Sequence, residues 1–79
     1  MSKLPPLRAV QVFETVARCA TMAEAAKRLN ISAGAVSQQM KLLEDILGVR
    51  LVSREANGLR LTTAGKRYFD SCAIAFENL

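Results

Sequence analysis

The chain of 79 residues has no histidine and only two cysteines, Cys19 and Cys72. Without histidine, the commonest general base and the commonest metal ligand are both missing. The cysteines lie far apart in the sequence and are unaccompanied by any histidine, so a metal site lacks its usual ligand set. Both fall in helical apolar patterns and are expected as small buried residues of a reducing cytoplasm. No apolar run is long enough to cross a bilayer. Met1-Ser-Lys-Leu-Pro-Pro6 lacks the apolar stretch of a secretory leader. There is no convergent carboxylate pair and no phosphate-cradling glycine loop, which makes an enzyme the least favoured class.

Acidic side chains are scarce in one stretch above all. The whole chain carries 11 Lys and Arg against 7 Asp and Glu, a net charge of +4. Between Arg50 and Arg67 the basic residues Arg50, Arg54, Arg60, Lys66 and Arg67 face Glu55 alone. A local excess of this kind suits a polyanionic partner better than general solubility does. The apolar content of 51% excludes a disordered tail. The length fits one small domain.

What the chain does contain is a patterned run from Thr21 to Gly48. Thr21 and Glu24 have capping-box spacing, with the Thr21 hydroxyl expected on the Glu24 amide and Glu24 reaching back. Ala25, Ala26 and Leu29 form a buried stripe whose small residues allow close helix crossing. Asn30 occupies the usual left-handed stop, Ile31 folds back onto Ala25 or Ala26, and Ser32 caps the next helix. In that helix Val36, Met40, Leu43 and Leu47 make one apolar stripe, and Gly48 ends it. The opposite side carries Ala33, Gly34, Ser37, Gln38 and Lys41. It is small and polar, with no long acidic side chain. That is the pattern of a helix-turn-helix whose second helix enters a DNA major groove. The same pattern also fits a helical hairpin with a solvated face.

The flanks add to this reading. A helix after Pro5-Pro6 is expected to bury Leu7, Val10, Phe13, Val16, Ala17 and Ala20. Beyond Gly48, Val49–Arg54 and Leu59–Thr62 read as short strands joined through Asn57-Gly58, a strong hairpin signal. The expected tip, Asn57 and Gly58, is small enough to enter a minor groove, or is merely a good turn. Thr62 or Thr63 caps a last helix of about 17 residues, a rod of roughly 25 Å. Its stripes (Tyr68, Cys72, Ala75 and Leu79; Phe69, Ala73 and Phe76) offer more apolar surface than a small domain covers. They are expected to pair with a second copy. The fold class expected is mostly α: a winged helix-turn-helix of three helices and a two-stranded wing over 1–62. A linker or dimerisation helix over 63–79 follows.

In register along the chain stand Phe13, Ala25-Ala26, Leu29, Val36-Ser37, Leu43-Glu44, Leu47-Gly48, Leu51, Arg54, Leu61-Thr62 and Ala64-Gly65. Together they resemble the N-terminal DNA-binding domain of the LysR-type transcriptional regulators of bacteria. Leu4-Pro5-Pro6-Leu7 and Gly65-Lys66-Arg67-Tyr68-Phe69 are most similar to its glycine-cleavage-activator subgroup. The resemblance implies a homodimer through the last helix, often a tetramer in the longer protein, binding at the nucleoid in the cytoplasm. It also implies a small-molecule effector held by a further C-terminal domain, with no cofactor in this segment, and it admits contact with RNA polymerase. The chain departs from the family pattern at Thr21-Met22, where serine-phenylalanine is frequent, and at Val52, where phenylalanine is usual. Ser32-Ala33-Gly34-Ala35 stands where glutamine and proline are common, and Gln38 where arginine often sits.

On this reading, phosphates supply affinity and base edges supply specificity. Phosphate contacts are expected from the first turn at Thr21, Met22 and Ala23, and from Ser32, Lys41, Arg54 and Arg60. Base contacts are expected from Gln38, whose amide matches adenine N6 and N7 (about 1–3 kcal/mol of discrimination). Ser37 could read either base type, Ala33 and Gly34 permit methyl contact or close approach, and Asn57 probes the minor groove. The dimer residues expected are Tyr68, Phe69, Cys72, Ala75, Phe76 and Leu79. Two rivals remain: another winged-helix family, and a protein-interaction module built on the same helices.

Overall fold

The Asn30 stop and the Ser32 cap set the fold's central angle. In the computed structural model, which describes the backbone of residues 5–77 and the side chains of residues 5–72, Asn30 takes φ 57° and ψ 43°. The Asn30 amide donates to Lys27 O and the Ile31 amide to Ala26 O, the double closure of a Schellman stop. Only Ser32, whose hydroxyl accepts from the Ala35 amide at 3.0 Å, then separates Ile31 from the next helix. The elements run α1 (Leu7–Ala17), α2 (Met22–Leu29), α3 (Ala33–Leu47), β1 (Val52–Glu55), β2 (Gly58–Leu61) and α4 (Thr63–Glu77). No helix among the described residues is long and apolar enough to cross a membrane.

One core joins all of these elements. α1 packs against α2, α3 and α4. Its buried residues are Ala9, Val12, Phe13 and Val16. Leu7, expected inside, is 64% exposed, Val10 and Ala17 are half-buried, and Ala20 lies beyond the helix and is exposed. The physical reason is the choice of stripe. Positions 9, 12, 13 and 16 also share one face at 3.6 residues per turn, and the partners lie on that side. Ala25 and Ala26, then Val36, Met40 and Leu43, then Leu51 and Val52 complete the core.

At α2, half of the expected capping box forms. Thr21 Oγ1 accepts from the Glu24 amide at 3.1 Å. Glu24 does not return the bond but turns to Arg28, 3.5 Å away. Gly48 closes α3 at φ 72°, its amide on Glu44 O at 2.8 Å. Thr62 is the cap of α4: its hydroxyl accepts from the Gly65 amide at 2.9 Å and donates to Arg50 O.

The hairpin departs from its expected turn. β1 and β2 pair antiparallel with Val52 opposite Leu61 and Glu55 opposite Gly58, so the two tip residues are Ala56 and Asn57. Gly58 is not at the tip. It opens β2 at φ 123°, and a Cβ there would sit 2.5 Å from Ala20 O. Asn57 keeps a negative φ, so the primed turn is absent and the glycine takes the positive φ. The adjoining Leu59 amide donates to Ala20 O at 2.9 Å, which staples the wing to the α1–α2 loop.

Candidate nucleic-acid interface

The register of the hairpin sorts its two arginines. Arg54 stands opposite Leu59, on the face that also carries Val52 and Leu61 and packs toward the helices. Arg60 stands opposite Ser53, on the other face, and reaches Glu55 at 3.8 Å. Arg54 instead crosses to α3, where its guanidinium donates to Ser37 Oγ at 2.8 Å. Alternation along a strand forces this separation, so the two do not act as one clamp.

Around Arg54 three others of the expected residues converge. A groove between α3 and β1 is lined by Met22, Ser37, Lys41 and Arg54, together with Arg50 and the acidic Glu44 and Asp45. Thus the first turn of α2, the polar face of α3 and the wing meet at one surface. Among the described residues neither Arg54 nor Lys41 has an acidic side chain within 4.0 Å. Arg50, by contrast, lies 3.7 Å from Glu44.

The remaining side chains are placed as follows. Ala33, Gly34 and Gln38 are exposed on the outer side of α3. A Cβ on Gly34 would meet nothing closer than Ser32 Oγ at 3.9 Å, so folding does not require glycine there. Thr21 and Ser32 each accept one amide at the cap, and among the described residues neither donates its hydroxyl proton, which can therefore be offered to an external acceptor. Met22 and Ala23 open α2, where first-turn amides lack intrahelical partners. Asn57 is exposed at the wing tip, away from the groove.

Of the expected dimer residues, Cys72 is buried against its own domain. Tyr68 and Phe69 pack on Phe13, with ring centroids 5.6 and 6.5 Å away, and stay half-buried. Arg18 lies over the Phe69 ring at 5.3 Å. The start of α4 is therefore part of the same core. The side chains of Ala75 and Phe76, and all of Leu79, lie outside the described residues.

Glu44 is the residue that sequence reasoning left without a role. Its carboxylate accepts from the Leu51 amide at 2.7 Å and the Val52 amide at 3.3 Å. It thereby fixes the root of the wing to α3. Nothing in the one-dimensional pattern signals a carboxylate bound by amides seven and eight positions on.

Three helices in this order, a tight turn between the second and third, and a two-stranded ribbon behind them define a winged helix-turn-helix. Residues 7–66 match the family model for the bacterial regulatory helix-turn-helix proteins of the lysR family, and the chain belongs to that family. It is 47% identical over 80 aligned positions to the glycine cleavage system transcriptional activator of Escherichia coli strain K12, covering 100% of this chain and 26% of that protein. To the HTH-type transcriptional regulator TrpI of Pseudomonas aeruginosa it is 46% identical, covering 96% of this chain and 26% of that one. The chain thus spans about a quarter of the length of these relatives. Among solved structures, the CbnR DNA-binding domain in complex with DNA superposes with a TM-score of 0.85 at 38% identity, covering 91% of this chain and 83% of that one.

Proposed function

We propose that this domain binds a specific double-stranded DNA sequence for a transcriptional regulator, as a two-fold dimer on an interrupted palindrome. The observation that carries the reading is the convergence of Lys41 and Arg54, neither with an acidic side chain within 4.0 Å among the described residues, beside the exposed small and polar face of α3. A helix face without bulk can approach base edges closely, and flanking cations not neutralised by a carboxylate release counterions from phosphates. The CbnR domain of similar fold is captured on DNA, which supports the same mode here.

In this reading α3 lies in the major groove, with Gln38, Ser37, Ala33 and Gly34 toward bases. Lys41, Arg54, Ser32 and the first-turn groups of Thr21, Met22 and Ala23 hold one phosphate strand. Asn57 follows the adjoining minor groove, and Arg60, on the outer face of the wing, meets a phosphate beyond it. Residues 1–62 form the reading head. α4 carries the partner copy, with Tyr68 and Phe69, which stay half-buried, at its described end.

The test is selection of bound duplexes from a randomised pool, using the chain as it stands. An enriched interrupted palindrome is the expected result. Enrichment of a lone half-site would remove the dimer. Salt-sensitive binding to every duplex without enrichment would remove sequence reading.

A further inference from the structure

The Arg54–Ser37 bond has a chemical consequence for base choice, and it rests on the DNA-binding reading above. A serine hydroxyl carries one donor proton and two acceptor lone pairs, so alone it can face a donor or an acceptor. Two other helical hydroxyls spend the proton on the carbonyl four residues back: Thr15 donates to Gln11 O at 3.3 Å and Ser71 to Arg67 O at 3.1 Å. Among the described residues Ser37 makes no such bond. Its oxygen instead accepts from the Arg54 guanidinium at 2.8 Å. The proton is therefore uncommitted, while the oxygen faces a cation. A base donor such as cytosine N4 would have to approach that oxygen against the positive charge. A base acceptor meets only the free proton.

We infer that Arg54 acts as a specificity-positioning residue by polarising Ser37 into a one-way donor. Ser37 then reads guanine O6 or N7, thymine O4 or adenine N7, and turns away cytosine N4. This role is separate from any contact Arg54 makes with phosphate, because it acts on one base pair per half-site.

The experiment compares affinities for the selected duplex and for its single-base-pair variants, at fixed salt. Ser37→Ala identifies the base pair concerned as the one position where preference disappears. Arg54→Met is then expected to collapse preference at that same position from roughly 5–10-fold to within about 2-fold, with the ranking elsewhere kept. In the Ser37→Ala background, adding Arg54→Met should lower affinity for all duplexes by one common factor. Arg54→Ala is measured beside it, and helical circular dichroism confirms that each variant folds. The inference is overturned if Arg54→Met weakens every duplex equally and the preference opposite Ser37 survives. It is also overturned if Ser37→Ala changes preference nowhere. A wild-type chain that selects no sequence would instead overturn the DNA-reading function itself.

Discussion

Gly34 and Gly65 are both helical glycines, yet their surroundings are opposite. A Cβ on Gly65 would stand 2.0 Å from Leu51 O, against backbone that cannot yield without moving the root of β1. Gly65→Ala is therefore expected to cost about 1–3 kcal/mol or more, read as a lower denaturation midpoint. A midpoint like that of the wild type would show that the α4–β1 contact is softer than its geometry. A Cβ on Gly34 would make only an ordinary contact with Ser32 Oγ, so Gly34→Ala should hold or raise stability, by up to about 1 kcal/mol, through reduced backbone freedom. If α3 approaches bases closely there, the same variant binds DNA more weakly. A more stable variant with unchanged affinity would take Gly34 out of the interface. At Gln38 the expectation is local too: Gln38→Ala relaxes base preference at one position per half-site and leaves random-DNA binding nearly intact. Equal loss on all sequences would remove Gln38 from the reading residues.

At the level of elements, the wing depends on two fastenings that belong to neither strand. One is the Ala20 carbonyl under Leu59, and the other is the Glu44 carboxylate under Leu51 and Val52. Glu44→Ala leaves two half-buried amides without their acceptor and is expected to cost about 1–3 kcal/mol. Glu44→Gln, which keeps one carbonyl oxygen, should recover part of that loss. If the two variants unfold alike, the amides have found water and the strut reading is wrong. The same fastening aims Arg54 at α3. Arg54→Ala should thus also weaken binding to every sequence and flatten the dependence of log K on log salt by about one unit. An unaltered slope would mean that Arg54 meets no phosphate.

For the molecule as a whole, α4 has a double engagement that changes how assembly must be tested. Tyr68, Phe69 and Cys72 pack on the domain's own core, so cutting the chain after Gly65 would remove core residues along with any dimer contact. Sedimentation of the intact chain is the informative measurement. A monomer at all concentrations would leave the palindrome to be imposed by DNA. The same junction governs alkaline stability. Burial is the largest cause that pushes the Cys72 thiol and the Tyr68 hydroxyl above their ordinary values of 9.0 and 10.0. Each is neutral when protonated, and folding favours that form. Stability is complete below the unfolded-state values and is lost as pH rises through the raised folded-state ones. The thermal midpoint should fall between pH 8 and pH 11, and Cys72→Ala should flatten the fall. A midpoint independent of pH over that range would show that the junction opens freely.

Features that depend on local chemistry were legible in the chain before it folded. The caps at Thr21 and Ser32, the stops at Asn30 and Gly48, and the apolar stripe of α3 form as their spacing predicts, except that Glu24 does not close its half of the capping box; of the two threonines offered for α4, Thr62 is the cap. Each involves groups within a few residues of one another, where side-chain type dictates backbone geometry. The polar face of α3 was legible for the same reason. The assembled core, by contrast, set which stripe of α1 faces inward and put Gly58 to use in a close approach to Ala20 instead of at the tip. It also decided that Arg54 and Arg60 part company across the ribbon, that Glu44 grips two amides, and that Tyr68, Phe69 and Cys72 turn inward. Those outcomes depend on register and on surfaces brought together from distant parts of the chain. No periodicity encodes them, because the partner that selects one face over another is absent until the core has closed.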